Sequence, residues 1–258
     1  MEGFAVNSEG HPVLAIRDFT RAVRVGGEDR LLFRDLSFDL SGGSALGLLG
    51  PRGAGKTSII RGILRLDPVS MGSVLRHPSP SESTATVARK QDVRGILGVG
   101  PRSPLTQWEV FRQLEHDARP VSGGSHHASL DRLREFSKTL DLPESTLQQP
   151  LSRLRPSARY RAWAAILASL TPQFLLIDEP ACALERSDHT AFGRFVRQIS
   201  DDGVGILLAT GDELLIARSC HRVLVLFDGS LHAEGPVEDL LPAAFATIAR
   251  SRTHAPKG

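Results

Sequence analysis

Three observations predict an α/β fold built on a mostly parallel sheet. The first is a set of short, continuously apolar runs, "SALGLLG", "QFLLIDEP", "GVGILLAT" and "RVLVLFDG", separated by stretches of helical spacing. Such runs mark strands buried on both faces between covering helices. The second is "LLGPRGAGKTS", Leu48 to Ser58, a glycine-rich loop joining an apolar run to a helical one. The third is size and composition: 258 residues, 41% hydrophobic and 23% charged, suffice for one good core or two small ones.

The elements follow in order. "VLAIRDF" and "FRDLSFDL" alternate with period two, placing Leu36, Phe38 and Leu40 on one face of the second strand. "SGG", Ser41 to Gly43, is a turn, and "SALGLLG" is a buried strand ending at Gly50. "KTSIIRGILRL" then has helical spacing at Ile59, Ile60, Ile63 and Leu64. The polar, Pro/Ser-rich stretch from Arg76 to Arg94 reads as a surface loop or short β excursion, followed by the strand "RGILGVG". From Leu105 to about Leu170 the pattern is helical, in "LTQWEVFRQLEH", "SLDRLREFSKTL" and "SARYRAWAAILASL", with a loop at "ARPVSGGSHHAS". Trp108 and Trp163 are read as packing residues of this helical insertion. Helices are expected again after Arg186 and after Asp212.

Charge and cysteine usage exclude several classes. The 31 basic and 29 acidic residues are interspersed and leave a formal charge of +2, so no basic stripe for nucleic acid is expected. Cys182 and Cys220 match no metal spacing and are expected as reduced thiols. No apolar run reaches the roughly 18 residues of a membrane span, and "MEGFAVNSEG" lacks the parts of a signal peptide. Any membrane work is therefore assigned to a partner.

Two motifs carry chemistry. Gly50, Gly55, Lys56 and Thr57 satisfy G-x-x-x-x-G-K-[ST], the Walker A pattern of a P-loop NTPase. Glycines let backbone N–H groups converge on phosphate oxygens, the helix N-terminus adds partial positive charge, Lys56 reaches the terminal phosphates and Thr57 holds Mg²⁺. In "FLLIDEP", Asp178 ends an apolar strand where its carboxylate can hold Mg²⁺, and Glu179 beside it can polarise an attacking water.

With these residues in place, the chain resembles the nucleotide-binding subunit of an ATP-binding cassette (ABC) transporter from about Val13 to Leu241. The resemblance rests on "LGLLGPRGAGKTS", "PVSMGSV", "LTQWEVF", "FLLIDEPACALE" and "VLVLFDGSLHAEGPVEDLL". It implies a single cassette over residues 1–258, with an N-terminal antiparallel β subdomain beside the mostly parallel core sheet and a helical subdomain inserted at about 103–170. It also implies ATP and Mg²⁺ as ligands. Gly50, Gly53, Ala54, Gly55, Lys56, Thr57 and Ser58 would line the phosphates, Thr57 and Asp178 would hold the metal, and Glu179 would be the catalytic base. The implied partners are a transmembrane permease subunit and a second cassette, alike or different, with no nucleic acid. The implied place is cytoplasmic, peripheral on the inner face of the cell membrane.

Four family motifs, and the aromatic that stacks on the base, depart from their usual form. Where the family has a glutamine after the strand preceding the helical insertion, this chain has Arg102, and a guanidinium can neither accept a hydrogen bond from water nor bind a cation. The L-S-G-G signature falls on Leu154, Arg155, Pro156 and Ser157; Arg155 or Ser157 is a candidate for a partner's γ-phosphate, and a plain helix start with proline in its first turn is the alternative. Glu185 stands for the aspartate of the following loop. Gly211 stands for the switch histidine, with His189 and His221 out of alignment and read as helix-capping and strand-start residues. The aromatic that stacks on adenine is replaced by Val23 or Val25.

The expected function is an ATP-binding subunit that couples nucleotide binding, with attenuated hydrolysis, to a separate permease. The alternative is a nucleotide-gated regulatory cassette without efficient hydrolysis. A DNA-associated cassette is disfavoured by the missing basic stripe, and a metabolic kinase by the lack of an acceptor site.

Overall fold

The computed structural model describes residues 11–77, 86–87, 96–100, 126–147, 149 and 151–242. Arg102 and Trp108 lie outside them, as does most of the polar stretch after Arg76.

Two sheets organise the chain. The first has the order β2-β1-β4-β5, all antiparallel, from β1 (Val13–Val25), β2 (Glu28–Ser41), β4 (Met71–His77) and β5 (Thr86–Val87). The second has the order β10-β9-β3-β8-β7-β6, from β3 (Ala45–Leu49), β6 (Ile96–Val99), β7 (Phe174–Asp178), β8 (Gly205–Thr210), β9 (Arg222–Phe227) and β10 (Ser230–Pro236). Only its β9–β10 edge pair is antiparallel. The expected antiparallel subdomain and mostly parallel core are both present.

Helices α1 (Lys56–Ile63), α2 (His126–Thr139), α3 (Glu144–Leu147), α4 (Pro156–Ser169), α5 (His189–Asp201), α6 (Glu213–Ser219) and α7 (Val237–Leu240) complete the described elements. The period of two in the parallel strands sorts their side chains into two cores. Leu175, Ile177, Ile206 and Leu208 face a cluster with Phe136, Tyr160, Trp163, Phe192 and Phe195 from α2, α4 and α5. Phe174, Leu176, Leu207 and Ala209 face the other, where Ile59, Ile60 and Ile63 of α1 meet Ile16, Phe19, Leu36 and Phe38 of the antiparallel sheet. Each fully buried Leu, Ile or Phe contributes about 1.5–3 kcal/mol. The central sheet is thus fixed from both sides, with its strand ends free to present loops.

Helix α1 is shorter than its apolar spacing predicts. It stops at Ile63 because Arg65 adopts a left-handed conformation (φ 55°), and the N–H groups of Leu66 and Asp67 turn back to the carbonyl of Arg61. Asp67 is held there by Arg61 (2.8 and 2.9 Å) and by Arg21 of β1 (2.5 Å), which ties the helix end to the antiparallel sheet. These two guanidiniums, Arg61 first, hold the Asp67 carboxyl well below the usual range. No helix among the described residues is long and apolar enough to cross a membrane.

Candidate functional site

The loop from Gly50 to Ser58 leaves the C-terminal end of β3 and closes onto the N-terminus of α1. Two glycines are required by contact. A β-carbon at Gly50 would come within 2.5 Å of the Leu226 carbonyl, and one at Gly55, whose φ is +100°, within 2.9 Å of the Leu32 carbonyl. Gly53 also has a positive φ (+85°) but faces open space, Ala54 is buried, and Thr57 is exposed. No side chain caps α1, and its first turn carries no acid. Its free N–H groups and partial positive charge therefore face outward.

Lys56 is 3% exposed, an unusual degree of burial for an ammonium. Its ammonium donates to Gly50 O at 2.7 Å and to Pro51 O at 2.9 Å, and it pairs with Glu179, whose Oε1 lies 2.8 Å away. Thr57 donates to Asp178 Oδ1 at 3.1 Å. The four predicted chemical residues are therefore brought together, although 121 residues separate Thr57 from Asp178. Asp178 is 8% exposed, and burial pushes its carboxyl up to about 6, against the opposing hydrogen bond from Thr57. A buried carboxylate beside a hydroxyl is an all-oxygen pair of the kind Mg²⁺ accepts, and such a cation would reverse that shift.

Glu179 sits just past β7 with its N–H bonded to Ala209 O at 2.8 Å and a left-handed backbone (φ 44°, ψ 53°). That conformation costs a non-glycine residue about 1–3 kcal/mol and persists only where the surroundings enforce it. A cleft of 310 Å³ runs past Thr57, Asp178 and Glu179, with Arg52, Arg61 and the exposed Cys182 on its walls.

The altered positions lie as follows. Gly211 follows β8 with an ordinary φ; a β-carbon there would stand 3.2 Å from Gly50 O, the carbonyl that accepts from Lys56. Position 211 thus abuts the glycine loop. His189 is not a helix cap: Asp188 takes that place, and His189 is the first residue of α5, 7% exposed, with Nδ1 3.7 Å from Asp212 Oδ2. Burial holds its imidazole below the ordinary value. His221 precedes β9 and bonds through its backbone to Ala45 O. Val23 pairs with Arg30 inside β1.

In the signature-like stretch, α4 begins at Pro156 with Arg155 exposed at the N-cap, as the helix-start reading expected. Ser157 does not face outward. It is 6% exposed and donates to Asp188 Oδ2, so only Arg155 of the two candidate phosphate ligands is accessible. Asp188, Tyr160 and Arg161 were not singled out by the sequence. Their role is visible only in three dimensions, since no spacing rule links a residue of α4 to one 27 to 31 positions later.

Comparison with known proteins agrees with this geometry. The family model described as ABC transporter matches residues 33–182. A Brucella ovis protein named as a peptide import ATP-binding protein is 24% identical over 89% of this chain and 74% of its own length. The zinc import ATP-binding protein ZnuC 1 of Hahella chejuensis is 27% identical over 83% and 74%. The ribose import ATP-binding protein RbsA 2 of Rhizobium meliloti is 27% identical over 87% of this chain but only 43% of its own. Among solved structures, a bacterial ABC transporter cassette in dimeric form superposes with a TM-score of 0.70 at 19% identity, covering 87% of this chain and 98% of that one. The cbiO1 structure from Clostridium perfringens, part of the transporter complex cbiONQ, gives 0.70 at 18% identity, covering 95% and 96%. ABC cassettes bind and hydrolyse ATP, form dimers and pair with transmembrane subunits. The chain belongs to the ABC transporter family, as an ATP-binding subunit that energises a membrane permease.

Proposed function

We propose that the loop Gly50, Gly53, Ala54, Gly55, Lys56, Thr57 and Ser58 holds the phosphates of ATP, that Thr57 and Asp178 hold Mg²⁺, and that Glu179 is the base for an attacking water. The observation that carries this reading is the placing of Lys56 between two loop carbonyls and Glu179, directly beside the Thr57–Asp178 pair. Two loop carbonyls and the Glu179 carboxylate hold the Lys56 ammonium, so reaching a phosphate oxygen means giving up one of these partners. Glu179 is the acceptor to give up, because its release from the ammonium also frees the carboxylate to take a proton from water. Mg²⁺, when bound, supplies charge neutralisation at the phosphates.

Hydrolysis by this chain alone is attenuated in this reading. Phosphoryl transfer depends on positioning and electrostatics, and Arg102 and Gly211 replace two groups that organise water and γ-phosphate in the family. The place of Gly211 against Gly50 O supports it, since a glycine there supplies no imidazole beside the loop. Residues 1–258 form one cassette with its helical subdomain at about 103–170, working in an asymmetric pair beneath a permease on the cytoplasmic face of the membrane. The names of the relatives point to import rather than export. The second reading, a nucleotide-gated cassette without efficient turnover, rests on the same two positions.

Mg-ATP binding measured alongside steady-state hydrolysis, with Lys56→Ala and Glu179→Gln as controls, tests the assignment. Binding lost in Lys56→Ala, together with turnover lost but binding kept in Glu179→Gln, is the expected result. Binding that survives Lys56→Ala unchanged refutes the site, and binding without wild-type turnover selects the second reading.

A further inference from the structure

Helix α4 touches the segment that carries Glu179 at both of its ends. At the near end, the Tyr160 hydroxyl donates to the backbone carbonyl of Asp178 at 3.0 Å. Tyr160 is buried and packs its ring against Phe192, with centroids 6.1 Å apart. At the far end, Asp188 gathers three groups. Its Oδ2 accepts from Ser157 Oγ and from the Glu185 N–H at 3.0 Å, and its Oδ1 lies 3.3 Å from Arg161 Nη1. Ser157, Tyr160 and Arg161 span little more than one turn of one helix.

The bonds to Asp188 are charge-assisted and shielded from water, which makes them stronger and more directional than neutral surface contacts. Between the two anchors the chain runs through the left-handed Glu179, the tight turn Pro180–Cys182 and the Glu185 loop. We propose that Ser157 and Tyr160 are positioning residues for Glu179: α4 holds the Asp178–Asp188 segment by both ends and so sets where the carboxylate of Glu179 stands. Ser157, at the signature position, then acts inside its own subunit and not on a partner's nucleotide. The start of α4, where Arg155 is exposed, becomes a lever on the base of the same chain. This rests on the reading of Glu179 as the base.

The test combines two readouts on Ser157→Ala, Tyr160→Phe and the conservative Ser157→Thr. One is hydrogen exchange at the Glu185 amide in nucleotide-free protein. The other is the separation of kcat from KM for Mg-ATP. Expected are roughly tenfold faster exchange and roughly tenfold lower kcat in Ser157→Ala, with KM within about twofold and both values restored in Ser157→Thr. Tyr160→Phe, which keeps the ring, should lower kcat with KM likewise unchanged. Unaltered amide exchange in Ser157→Ala overturns the anchor, faster exchange with unaltered kcat overturns the positioning role, and a raised KM at constant kcat assigns Ser157 to nucleotide binding instead. A wild-type chain without turnover removes the base reading of Glu179, and the amide exchange then decides the anchor alone by the same criterion.

Discussion

Helices α1 and α4 both begin without a side-chain cap, yet their N-termini are built for different work. At α1, glycines bring the backbone close, no acid stands in the first turn, and Lys56 is held by two loop carbonyls and Glu179. At α4, Pro156 removes one N–H, Arg155 stands exposed at the cap, and Ser157 turns inward to Asp188. One end offers a ready anion site and the other a fastened joint. On the proposed reading, this chain has kept the half that grips its own nucleotide and changed the half that would grip a partner's.

That contrast can be broken at several places. The largest effect is expected at Lys56: Lys56→Ala deletes the only ammonium facing the loop among the described residues, and titration calorimetry should show Mg-ATP affinity falling at least about 100-fold, since charge-assisted bonds contribute about 1.5–3 kcal/mol each. A second effect sharpens the comparison by gain instead of loss. Gly211 has an ordinary φ and room for a side chain if Gly50 O yields a few tenths of an ångström. Gly211→His should therefore raise steady-state turnover about tenfold, as a positioned imidazole does; an unchanged rate would mean that position 211 does not limit the reaction.

Restoring the other half is the third test. Arg155→Ser with Pro156→Gly should promote ATP-dependent self-association, followed by light scattering, while leaving the affinity of the monomer for Mg-ATP within about twofold. The smallest effect concerns the far end of α1. Asp67→Asn weakens the bonds from Arg21 and Arg61 and should cost about 1 kcal/mol, or about 2–4 °C in Tm, because Arg61 is partly exposed. The sign with pH follows from the lowered carboxyl of Asp67: its contribution is complete above the ordinary carboxylate pKa of about 4 and is lost as pH falls below it. The Tm difference between wild type and Asp67→Asn should therefore shrink in acid.

The sequence carried the parts governed by local rules. Apolar runs located β3, β7, β8 and β9, and the glycine spacing located the loop before α1, because buried parallel strands and phosphate loops leave patterns within a few residues. It did not show where α1 stops, since that depends on Arg65 taking a left-handed conformation usually left to glycine, with Asp67 held by two arginines from different elements. Nor did it show β10, whose exposed alternate residues give a weak apolar signal. At the site, Lys56, Thr57, Asp178 and Glu179 were legible as two motifs, but the grip of Glu179 on Lys56 was not. Nor could the sequence choose between Arg155 and Ser157 as a partner contact, or between either and a plain helix start: the inward turn of Ser157 depends on Asp188, 31 residues away.

The most direct test of the account is sedimentation of the Glu179→Gln chain in saturating Mg-ATP. Removing the proposed base should leave nucleotide bound, so any pairing competence of the chain with itself would accumulate as a dimer. The account predicts a chain that binds ATP yet stays a monomer, because its signature-side helix start is fastened inward and lacks a backbone donor. A stable ATP-dependent homodimer would contradict it and show that the altered half is still a working one.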